Sequence, residues 1–208
     1  MLRHFLLTNV TFHRTLKSMN KRQISKVKKF GVFTLAQGKS VGISQQEISR
    51  LVAGKDLVRL GRGIYLHPKA PLDKDVGFQI ARSKFGRQSA IGGLSALCHY
   101  NLAEQVPGEI WVMVPPEKRT RETGYKLIRT KTNLDKQVVE EKGYRIVTVE
   151  RAVLEALKFI TKIGERTAIK AAREALSTRK TTEARLAKSA KELGLERVLA
   201  KHLEVIVP

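Results

Sequence analysis

Ser44-Gln45-Gln46-Glu47-Ile48-Ser49-Arg50-Leu51-Val52, followed by Asp56-Leu57-Val58-Arg59-Leu60, Gly61-Arg62-Gly63 and Ile64-Tyr65-Leu66, is the stretch that decides how this chain is read. Ser44 with Glu47 three residues on is a capping box. The hydroxyl accepts the Glu47 backbone N–H and the carboxylate reaches back to the Ser44 N–H, so a helix starts here. Ile48, Leu51 and Val52 share one helical face, while Gln45, Gln46, Ser49 and Arg50 fall largely on the others. Two short apolar runs around Gly61-Arg62-Gly63 predict a β-hairpin. His67-Pro68 closes it, because proline cannot donate to a continuing ladder.

Upstream, Ile24, Val27, Lys28 and Phe30 predict a helix ended by Gly31, and Thr34 can cap a short second helix holding Leu35 and Ala36. Helix, short helix, turn, longer helix, hairpin is the order of a winged helix-turn-helix over residues 21–70. In that geometry the N-terminal residues of the second helix of the pair meet base edges in the major groove. Gln suits adenine, and Arg suits guanine or phosphate. The candidate DNA-binding residues are therefore Ser44, Gln45, Gln46, Ser49 and Arg50 on the helix and Arg59 and Arg62 on the wing. Lys28 and Lys29, on the first helix, are candidate phosphate contacts.

Charge points the same way. The 208 residues carry 40 Lys+Arg against 19 Asp+Glu, a formal net charge of +21. Residues 1–70 hold 14 Lys/Arg and two acids, Glu47 and Asp56, so the basicity concentrates in that part. Such a segment attracts polyanions, of which DNA and RNA are the common ones. Residues 1–20 form a basic, acid-free extension with apolar Leu2, Phe5, Leu6, Leu7, Val10 and Phe12. An acid-free start bearing arginine is also a feature of organellar transit peptides, but serine is scarce here and the apolar cluster is short.

After Pro71 the pattern becomes mixed α/β. Residues 73–85 read as a helix, Ser89–Ile91 as a short strand and Gly92–Tyr100 as a small-residue helix. Ile110–Val114 is a strong strand stopped by Pro115-Pro116, and Tyr125–Arg129 and Tyr144–Val147 are further strands. Thr148 can cap a helix through Ile160. Residues 165–207 then read as three helices, broken near 177–182 and at Gly194. The fold class expected is α+β: a winged helix-turn-helix, then an α/β domain at 71–208 with a small sheet and a helical tail.

Candidate catalytic groups are sparse. Cys98 and His99 are adjacent on a helix and point about 100° apart, so a buried cysteine beside a surface histidine is expected. Asp135 with Glu140-Glu141-Lys142 has an E-x-K spacing found in metal-dependent nucleases, but the gap of five residues is short for an acid that should come from another strand. The histidines lack metal-ligand spacing, and a single cysteine excludes both a CxxC site and an internal disulfide. No phosphate loop of Walker or Rossmann type occurs. Trp111 and Tyr65 are expected in the core or at its hydrophobic rim rather than as stacking platforms for bases. No catalytic site, cofactor or metal is expected. No apolar run reaches the ~18 residues that span a bilayer, so a cytoplasmic protein without a membrane partner is expected. The competing readings are an RNA-binding or structural basic protein and a nuclease-like enzyme.

Gly31-Val32-Phe33-Thr34, Gly42-Ile43-Ser44, Ile48-Ser49-Arg50-Leu51-Val52 and Leu60-Gly61-Arg62-Gly63-Ile64-Tyr65 together resemble the N-terminal winged helix of AbiEi-type antitoxins. The resemblance continues through Gly93-Leu94-Ser95-Ala96-Leu97, Pro107-Gly108-Glu109-Ile110-Trp111 and Thr148-Val149-Glu150-Arg151-Ala152-Val153-Leu154-Glu155-Ala156-Leu157, and so covers about residues 22–207. It implies a type IV antitoxin that represses its own operon through the winged helix, at an operator inverted repeat in double-stranded DNA. It also implies a nucleotidyltransferase-like toxin as functional partner, neutralised without a tight complex.

Overall fold

The computed structural model describes residues 21–70 and 75–207; the basic extension 1–20 and the stretch 71–74 lie outside them. The chain divides into two compact units, Met1–Lys74 and Asp75–Pro208. Both combine short helices with a small sheet, so the fold class is α+β.

The first unit runs α1 (Lys21–Phe30), β1 (Val32–Thr34), α2 (Leu35–Ser40), α3 (Gln45–Ala53), β2 (Val58–Gly61) and β3 (Ile64–Leu66). Strand β1 is absent from the sequence reading, because three residues are too few for a period-2 pattern to register. It pairs antiparallel with β3, Val32 opposite Leu66 and Phe33 opposite Tyr65, giving the sheet order β1-β3-β2. Thr34 caps α2: its Oγ1 accepts the Gln37 N–H at 3.3 Å, and the Thr34 N–H donates to Gln37 Oε1 at 2.7 Å. Val27 from α1, Phe33 from β1, Ile43, Ile48 and Leu51 around α3, Leu57 and Tyr65 form one apolar core. Tyr65, expected in the core or at its rim, is part of it.

In the second unit the observed elements follow the predicted ones, except that the helix expected from Thr148 through Ile160 ends at Lys158 and an unexpected short helix follows at Ile160–Ile163. The elements are α4 (Val76–Phe85), β4 (Ala90–Ile91), α5 (Gly93–His99), β5 (Ile110–Val114), β6 (Tyr125–Arg129), β7 (Val138–Glu141) and β8 (Tyr144–Val147). Helices α6 (Val149–Lys158), α7 (Ile160–Ile163), α8 (Glu165–Ser177), α9 (Glu183–Leu193) and α10 (Glu196–Ile206) complete the unit. The five strands lie in the order β6-β5-β4-β8-β7. Pairing is parallel for β5–β6 and β4–β8, and antiparallel for β4–β5 and β7–β8. Strand β7 escapes the sequence reading because an edge strand with one wet face tolerates Glu140 and Glu141, which read as loop.

Helix α6 is central to this unit: residues 150–157 are all buried, two acids and an arginine among them. Ala152, Val153, Leu154, Ala156 and Leu157 join the core that also holds Trp111, Met113, Ile128, Ile146 and the alanines of α8. Glu150 is satisfied from α9 and the turn before it, by Thr181 Oγ1 at 3.0 Å and Arg185 Nη2 at 2.7 Å. The fully buried Arg151 donates from Nε to Glu155 Oε1 at 2.9 Å and from Nη1 to the carbonyls of Asn133 and Lys136. Among the described residues no helix is long and apolar enough to cross a membrane.

Candidate nucleic-acid interface

All nine candidate DNA-binding residues belong to the first unit and all are exposed: Lys28, Lys29, Ser44, Gln45, Gln46, Ser49, Arg50, Arg59 and Arg62. On α3, burying Ile48 and Leu51 fixes which side faces water. At 100° per residue, Gln45, Ser49, Gln46 and Arg50 then fall within an arc of about 140° on the opposite side, which the exposed Ala53 shares at the end of the helix. The helix thus presents two amides, a hydroxyl and a guanidinium as one polar surface.

The capping box fixes the start of that surface. Ser44 Oγ accepts the Glu47 N–H at 3.2 Å, and the Ser44 N–H donates to Glu47 Oε2 at 2.8 Å. One lone pair of the Ser44 oxygen is thereby used by the first turn of the helix. The Ser44 backbone N–H, and then the Ser44 side chain, hold the Glu47 carboxyl below its ordinary value. Its charge is thereby anchored at the helix terminus, where the backbone dipole favours an anion.

The hairpin places its two arginines differently. Pairing of β2 with β3 shifts register between Arg59 and Gly61. Arg59 Nε folds back to donate to the Gly61 carbonyl at 3.3 Å. Arg62 sits in the two-residue tip with Gly63, whose φ of +71° is a backbone conformation that glycine adopts without cost. No ion pair joins Arg62 to Asp56, the nearest acid in sequence. At the far end of the hairpin, His67 is half-buried and its Nδ1 accepts the Lys69 N–H at 3.1 Å. Burial, then the charges of Lys28 and Lys69, push the His67 imidazole below its ordinary value, so the ring stays neutral at neutral pH.

The second unit holds a polar constellation that no sequence pattern announced. His99, expected on the surface, has a side chain only 13% exposed, with Nε2 3.4 Å from Glu141 Oε2 and Nδ1 3.8 Å from Asp75 Oδ1. The Tyr144 hydroxyl lies 3.1 Å from Asp75 Oδ2 and 3.2 Å from Glu141 Oε2. Burial, and then the two carboxylates, push this phenol upward, so it remains a hydrogen-bond donor. Asp75, His99 and Tyr144 are 24 to 69 residues apart in the chain, which is why spacing gave no signal. Cys98 is half-buried rather than buried, with Sγ 2.8 Å from the Gln105 carbonyl, and burial pushes its thiol up. Of the residues with nuclease-like spacing, Asp135 is held by Arg145 at 2.8 Å, Glu141 faces His99 and Tyr144, and Glu140 is exposed. Lys142 lies in the β7–β8 turn, 4.0 Å from Asp75 Oδ2.

Neither a family model nor a curated protein matches the chain. Among solved structures, it is similar to the RV2827C protein from Mycobacterium tuberculosis, with a TM-score of 0.54 and 14% sequence identity. The match covers 88% of this chain and 80% of that one. At that identity the similarity is one of fold.

Proposed function

We propose that the first unit is a winged helix-turn-helix and that the chain is a sequence-specific repressor acting on double-stranded DNA. The observation that carries this reading is the exposed polar arc of Gln45, Gln46, Ser49 and Arg50 on α3, in the same small, strongly basic unit as the Arg62 hairpin tip. An amide and a guanidinium are the groups that read adenine and guanine edges, and an exposed arginine on a tight turn reaches phosphate or a narrow minor groove. The resemblance to AbiEi-type antitoxins extends the proposal. The operon repressed is the chain's own, and the second unit neutralises a nucleotidyltransferase-like toxin in the cytoplasm without a tight complex.

The test is a mobility shift of the purified chain on the DNA upstream of its own gene, beside a scrambled duplex and a structured RNA. Preference for an inverted repeat supports the proposal. Equal or tighter binding to RNA supports the basic RNA-binding alternative and removes the repressor reading. Co-expression with a neighbouring toxin gene separates the second role: growth rescue without co-purification is the expected result.

Two substitutions sharpen the DNA reading. Gln46→Ala or Arg50→Ala is expected to relax base preference at particular operator positions, each by about 1–3 kcal/mol of discrimination for a bidentate contact. Equal weakening on every sequence would show that these side chains hold only phosphate. Arg62→Ala is expected to lower the slope of log affinity against log salt by about one unit, the signature of one lost phosphate contact. Its melting temperature should stay near that of the parent, since an exposed turn arginine contributes within about 0.5 kcal/mol. An unchanged slope with a lowered melting temperature would make Arg62 a shaping residue of the hairpin instead.

A further inference from the structure

The loop leaving β6 is drawn inward by two arginines. Arg151 Nη1 takes the Asn133 carbonyl at 2.7 Å and also that of Lys136, and Arg145 Nη2 takes the Leu134 carbonyl at 2.6 Å. In a planar trans peptide the N–H points opposite to the preceding carbonyl. Turning the Asn133 carbonyl toward Arg151 therefore turns the Leu134 N–H away from it, and no group among the described residues accepts that N–H. Arg151 is fully buried. On the loop itself opens a cavity of about 270 Å³, bounded by Pro115 and Pro116 after β5 and by Thr130, Lys131, Thr132 and Leu134 after β6.

The wall of this cavity carries one ammonium and several hydrogen-bond donors. Lys131 is exposed at its wall, and Lys158 Nζ lies 3.1 Å from the Thr132 hydroxyl. The one acid on the wall, Asp135, is paired with Arg145 at 2.8 Å, and its backbone N–H is taken by Asn133 Oδ1 at 2.7 Å. The position, outside the carboxyl ends of two adjacent parallel strands, is one where open α/β sheets place ligands. Its volume falls below the roughly 300–1,000 Å³ of pockets that enclose drug-sized molecules, and suits one small anionic group.

We propose that this cavity binds the phosphate group of a small phosphate monoester. The Leu134 N–H, the Lys131 ammonium and the hydroxyls of Thr130 and Thr132 serve as donors, with Lys158 supplying a second charge. The two arginines act from beneath as positioning residues, because they fix the direction in which the loop amides face. This site does not depend on the DNA-binding reading of the first unit.

The test uses the full chain labelled with ¹⁵N and titrated with inorganic phosphate, with adenosine 5′-monophosphate and with a short single-stranded oligonucleotide lacking terminal phosphates, at constant ionic strength. Phosphate and the monophosphate are expected to move the Leu134 and Lys131 amide resonances saturably. Lys131→Ala is expected to weaken both by about tenfold, as the loss of a charge-assisted hydrogen bond does, and Lys131→Arg to retain binding. Lys131 is exposed, so neither variant endangers the fold. The proposal is overturned if chloride at matched ionic strength produces the same shifts, if Lys131→Ala leaves the affinity unchanged, or if only the oligonucleotide binds.

Discussion

Arg151→Met is expected to destabilise the second unit by about 3–5 kcal/mol, the usual cost of breaking a buried ion pair from one side. For a unit of this size that corresponds to a fall of roughly 10–20 °C in its melting temperature. Arg151 and Glu155 are 0% and 1% exposed and lie one helical turn apart on α6. Removing the guanidinium leaves the Glu155 carboxyl without its counter-ion and the carbonyls of Asn133 and Lys136 without a donor. Burial already pushes the Glu155 carboxyl above its ordinary value, with Arg151 pulling against it. Without Arg151 only the charge of Lys158 opposes the upward push. A carboxyl whose folded-state value lies above its unfolded one favours the fold at low pH and loses that contribution as pH rises through the folded-state value. The loss in Arg151→Met should therefore be smallest in acid and grow as pH rises beyond the ordinary carboxylate range. Calorimetry at several pH values checks both parts, and Arg151→Met with Glu155→Leu should recover stability by removing the stranded charge. A deficit that is small and flat with pH would mean that water enters and solvates Glu155.

Gly93→Ala is the second large effect expected, about 2–5 kcal/mol. Gly93 has φ +52°, where a side chain costs about 1–2 kcal/mol. A Cβ there would lie 2.5 Å from Trp111 Cε3 and 2.6 Å from Ile128 Cδ1. Both neighbours are buried core residues, so relief requires repacking at a further cost of about 1–3 kcal/mol. Thermal unfolding beside Gly108→Ala gives the control, since Gly108 has open space around it and ordinary φ. Equal melting temperatures for the two variants would show that α5 can lift from β5 and β6 without loss. Combining Gly93→Ala with Ile128→Val, which removes one of the two clashing atoms, should recover part of the deficit.

What these two positions do in the fold is structural. Arg151 ties α6 to the loop after β6, and Gly93 lets α5 lie against the sheet. In the first unit the polar arc of α3 was legible because a helix with one buried face must expose the other. The difference between Arg59, folded onto its own strand, and Arg62, free at the tip, was not legible. It depends on the register shift between Arg59 and Gly61.

Local chemistry was enough to fix most elements of this chain. The Ser44–Glu47 box, the Thr34 and Thr148 caps, the stop at Pro115-Pro116 and the apolar run Ile110–Val114 act over a few residues, so their outcome is written where they stand. Tertiary structure alone decided the rest. Strands β1 and β7 are too short or too charged to declare themselves, and exist because β3 and β8 offer them a partner. His99 is enclosed because Asp75 and Glu141 arrive from other elements, and the Leu134 N–H turns away from Arg151 because that arginine, on α6, takes the Asn133 carbonyl. Hydrogen bonds and ion pairs act over a few ångströms of space, and only folding brings groups that lie far apart in the chain within that distance.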